Sequence, residues 1–119
     1  MSVQDRKIKF RVWDTETGRY VSYTPHVGID TDGRVYDLQN GSDGHFVLEQ
    51  FTGRLDKNKK EIYEGDVVYS VFEDRMSPVV FRDHGFWVEA ESYGWEGELL
   101  WNWEFLEVIG NVRQNPELL

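Results

Sequence analysis

An all-β, mainly antiparallel fold is predicted by three observations. Polarity alternates with period two in almost every segment, period 3.6 is nearly absent, and turn residues recur about every ten positions. Six to eight short strands at that spacing point to a sandwich or small barrel. The chain has 119 residues, enough for a single domain. Its 15% aromatic content excludes a disordered chain, and the lack of cysteine excludes a disulfide framework, a thiolate zinc site and a Cys nucleophile. No stretch approaches the ~18 apolar residues of a membrane span. Met1-Ser2-Val3-Gln4-Asp5-Arg6 lacks the apolar core of a secretory signal, so a soluble cytoplasmic protein is expected.

Ile8-Lys9-Phe10-Arg11-Val12-Trp13 alternates strictly, with Ile8, Phe10 and Val12 on one face and Lys9 and Arg11 on a wet one. Asp14 to Gly18 is a turn, and Arg19 to Tyr23 resumes the alternation, giving a hairpin over 8–23. Val27-Gly28-Ile29 and Arg34 to Leu38 flank Asp30-Thr31-Asp32-Gly33, a hairpin signal. After the polar loop Gln39 to Gly44, Phe46 to Thr52 reads as a strand and Asp56-Lys57-Asn58-Lys59-Lys60 as a charged turn. Glu61 to Phe72 is expected to be a turn leading into a strand that Gly65-Asp66-Val67-Val68 opens. Pro78 to Phe81 and Phe86 to Glu91 bracket a hairpin turn, and Glu104 to Val112 is the last strand. Between them, Gly97 to Trp103 fits strand, loop or a single helical turn. Asn115-Pro116-Glu117 has the look of a helix N-cap with Pro in the first turn. The expected organisation is a single domain over 1–119. In it an SH3-like barrel occupies 61–112, an N-terminal hairpin extension 1–55 and a C-terminal tail 113–119.

Charge divides unevenly. Residues 1–60 hold ten basic and nine acidic side chains, a net of +1, whereas 61–119 hold three basic and thirteen acidic, a net of −10. A solvated acidic face is the plain reading, and the asymmetry also bears on partners and association rate.

Three blocks carry a resemblance to a known family. They are Ile8 to Asp14, then Phe51-Thr52-Gly53 with Asp56 to Val68, and finally Glu107 to Val112 with Asn115 to Leu119. In these the chain resembles the YopX family of phage and prophage proteins, over essentially its whole length. The resemblance implies a small, mostly β protein that forms homo-oligomers, with no assigned activity and no catalytic set. Two departures stand out: Lys59 replaces the family's usual Gly, so its turn lacks a residue with free positive φ, and Arg54-Leu55 reverses the usual order.

Enzyme motifs are scarce. His26, His45 and His84 sit in loops near Asp30, Asp43 and Asp83, pairs that suit acid–base work but that turn composition alone supplies. Asp30, Asp32 and Asp37 fit no calcium loop. No phosphate loop or nucleophile elbow is present. The expectation is therefore no catalytic residue, no metal and no cofactor. Lys57, Lys59 and Lys60 could touch phosphates, but the net charge of −9 argues against direct nucleic-acid binding.

The expected interaction patch lies in the acidic, aromatic stretch: Trp87, Glu89, Glu91, Trp95, Glu96, Glu98, Trp101 and Trp103. Lys7, Lys9 and Arg11 are its expected basic complement. Two readings follow. The first is a non-catalytic module that assembles with itself, or binds a host or phage protein, through opposed surfaces on one chain. The second is an acidic decoy that mimics DNA toward a host DNA-binding protein.

Overall fold

The computed structural model describes residues 7–22, 26–39, 42–70, 74–82, 85–88, 98–99 and 105–119. Its strands are β1 (Phe10–Asp14), β2 (Arg19–Tyr20), β3 (Val27–Ile29), β4 (Val35–Asp37), β5 (Ser42–Asp43), β6 (Phe46–Leu55), β7 (Glu61–Tyr63), β8 (Asp66–Ser70), β9 (Arg75–Arg82), β10 (Gly85–Val88), β11 (Glu98–Leu99) and β12 (Leu106–Asn111). Every strand pairing among the described residues is antiparallel, as the period-two alternation predicts. Three sheets result, ordered β2-β1-β6-β7, β3-β4-β5 and β11-β10-β9-β8-β12. Among the described residues these orders have two ends each, and the SH3-like detail is not part of what the ladders define.

The chain divides into two units, Lys9–Gln50 and Phe51–Leu119 with the start of the chain up to Ile8, so the boundary falls inside β6. In the first unit the hairpins lie where the turn residues put them. Asp14 stands opposite Arg19, and its carboxylate accepts the N–H groups of Glu16 and Thr17. In the second unit one apolar cluster forms the core: Ile62, Val68, Val79, Val88 and Leu106, with Phe86 and Val108 packed on it. Side chains directly opposite one another in register (Val68 with Val108, Val79 with Val88) share this face.

Two hairpin loops are built alike. Asp30 N–H donates to Arg34 C=O (3.1 Å) and Gly33 N–H to Asp30 C=O (3.0 Å), while Asp30 Oδ1 accepts from Asp32 (3.0 Å) and Arg34 (2.9 Å). Asp56 repeats the set with Lys60 C=O (2.8 Å), Lys59 N–H (3.0 Å), Asn58 N–H (2.8 Å) and Lys60 N–H (2.9 Å). A left-handed residue closes each loop, Gly33 with φ 85° in one and Lys59 with φ 67° in the other.

Three local expectations change. Glu61 to Tyr63 is not a turn but strand β7, paired with β6 at Phe51–Tyr63 and Leu55–Glu61; the turn is confined to Glu64 and Gly65 (φ 86°). Sequence reading missed this strand because it is three residues long, too short for a period to show. On β1 the face of Arg11 is not simply wet: Arg11 lies opposite Glu49, a buried carboxylate, while Ile8 and Phe10 are 58% and 42% exposed. At the C-terminal end Asn115 does precede a Pro-led turn, a 3-10 turn over Pro116–Leu118, but its side chain makes no cap bond. Instead Asn115 Oδ1 accepts from Asn111 N–H (3.2 Å).

Candidate functional site

Polar side chains are buried in both units, and each has a definable task. In the first unit Glu49 Oε1 accepts from Arg11 Nε and from Tyr20 Oη, both at 2.7 Å, and the Arg11 guanidinium lies 4.8 Å from the Tyr20 ring centroid. Burying this carboxylate is tolerable because the cross-strand register delivers a cation and a hydroxyl to it. A second pair joins His45 Nε2 to Asp37 Oδ2 at 3.0 Å, both residues buried. Asp37 Oδ1 also accepts Gln39 N–H (3.1 Å), and the His45 carbonyl accepts both N–H (2.8 Å) and Oγ1–H (3.1 Å) of Thr15. His45 therefore fastens β4 and the β1–β2 loop to the start of β6. A buried His–carboxylate pair with this many structural bonds is read as a fastener, not as a general base reaching substrate.

In the second unit the corresponding residue is Asp56, 3% exposed. Its Oδ1 heads the β6–β7 loop, and its Oδ2 accepts Val108 N–H across 3.0 Å. Burial pushes its carboxyl up, but the N–H groups of Val108, Lys60 and Asn58 and the Lys60 charge more than reverse this and hold it below the usual carboxylate range. Asp66 does similar work one hairpin on, accepting Tyr63 N–H at 2.8 Å while buried.

The residues singled out from the sequence fall as follows. Trp87 is half-buried on the face of β10 opposite the core residue Val88, where its partners in register are Val80 and Leu99. The Glu98 backbone pairs with Val88. Glu89, Glu91, Trp95, Glu96, Trp101 and Trp103 lie outside the described residues, as do Asp83 and His84. Lys7 faces Glu61 at 3.5 Å, Lys9 is half-buried and Arg11 is committed to Glu49. Asp30 serves its own loop and also accepts from Tyr36 Oη (3.1 Å). Its carboxyl is lowered chiefly by the Arg34 N–H bond. Asp37 is taken up by His45, so of the three carboxylates weighed for a metal, Asp30 and Asp37 answer to different partners.

Sequence reading missed Glu49 and the full role of Asp56. Glu49 has a signal in hindsight: it is the lone acid in the apolar run Phe46 to Phe51. For Asp56 the signal is its spacing. Asp-x-Asn-x-Lys repeats the Asp-x-Asp-x-Arg of the Asp30 loop.

The middle of β9 and β10 carries apolar side chains on both faces. Ser77, Val79 and Phe81 share one side of β9 with Arg75; Met76, Pro78 and Val80 share the other with Arg82. Met76 and Phe81 are 45% and 53% exposed, and Phe81 meets Phe86 edge-on at 5.0 Å. A sheet with one wet face would carry polar residues at 76, 78 and 80.

These features define an antiparallel-β protein whose buried carboxylates are hydrogen-bonded within the chain. The family model for YopX protein matches residues 9–119, and the chain belongs to that family. Protein EF1440 from Enterococcus faecalis has a similar crystal structure, with TM-score 0.63, 25% identity, and coverage of 95% of this chain and 98% of that one. Protein yopX from Bacillus subtilis is similar too, with TM-score 0.62, 26% identity, and coverage of 92% and 96%. No curated protein matches. Among the described residues no helix is long and apolar enough to cross a membrane.

Proposed function

We propose that this chain is a non-catalytic phage or prophage accessory module that assembles with further copies of itself. The observation that carries the reading is the middle of β9–β10, which between the terminal Arg75 and Arg82 of β9 carries apolar side chains on both faces. One face packs on the core cluster. The other carries the exposed Met76 and the half-buried Pro78, Val80 and Trp87 beside Tyr69, which stands opposite Met76; Val67, opposite Pro78, is already buried. Aromatic and Met side chains are the types enriched at protein interfaces. Charge complementarity between copies contributes less, since Arg11 and Lys7 have carboxylates within their own chain. Sedimentation of the wild type and Met76→Glu tests this. An oligomer that the substitution dissociates is the expected result; a wild-type monomer at micromolar concentration overturns it. The decoy reading is favoured only by the −10 balance of residues 61–119.

A further inference from the structure

We draw no further inference here: the strongest candidate, the exposed cationic tip of the β6–β7 hairpin at Arg54, Lys57, Lys59 and Lys60, carries none, because Glu107 already faces Lys57 across 3.3 Å, Lys60 balances the buried Asp56, and nothing in the structure shows what would cover Arg54 and Lys59.

Discussion

Lys59 shows what one residue can reveal when two loops share a hydrogen-bond pattern. Its left-handed φ costs ~1–2 kcal/mol for a residue with a Cβ. Glycine would remove that cost but adds ~0.5–1 kcal/mol of unfolded-chain freedom. Lys59→Gly should therefore stabilise the chain by about 0.5–1 kcal/mol, read as a higher urea midpoint at unchanged slope. An unchanged midpoint would mean that the loop relaxes around the lysine. Gly110 is the opposite case. A Cβ there would sit 2.5 Å from Asn115 Oδ1 and 2.9 Å from Leu118 Cδ1, so this glycine is required by close approach rather than by φ. Its place in the Glu107 to Val112 block follows from the 3-10 turn folding back over it. That reason cannot be read from the block itself, because nothing local to Gly110 says that Asn115 and Leu118 fold back over it.

Elements were legible wherever turn chemistry and alternation agreed. The Asp-Gly pair at 32–33 and the turn before Gly85 each placed a hairpin, and Ile29–Val35 and Arg82–Gly85 are the innermost pairs found. β7 was hidden because its three residues gain their extended form from β6, a partner that local pattern does not report. The buried carboxylates were hidden for a related reason: burial of Glu49 and Asp56 depends on which strands come to lie beside them. The loop of Asp56 makes this measurable. Its folded carboxyl is held below the usual range, so the contribution is complete above the unfolded value of about 4 and drains as pH falls through the lower folded one. The stability gap between wild type and Asp56→Asn, from urea melts at several pH values, should be largest above pH ~4 and narrow below it. A gap independent of pH would show that the ionised form of Asp56 is not what holds the loop to β12.

At the scale of the whole molecule, charge and apolar surface make different demands on association. The −10 balance of residues 61–119 gives like copies a mutual repulsion that salt screens, with a Debye length falling from ~30 Å at 0.01 M to ~3 Å at 1 M. The proposed contact through Met76, Val80 and Trp87 would be driven by burial of apolar area, which salt does not screen. Self-association through the β9–β10 face should therefore hold or tighten as salt rises from ~0.05 to ~1 M, with Met76→Glu lowering it throughout. A decoy gripping a DNA-binding protein through carboxylates has the reverse dependence, weakening steeply over the same range. Sedimentation across this salt series separates the two. Assembly that dissolves with added salt would place the contact on charge and remove the apolar face from the account.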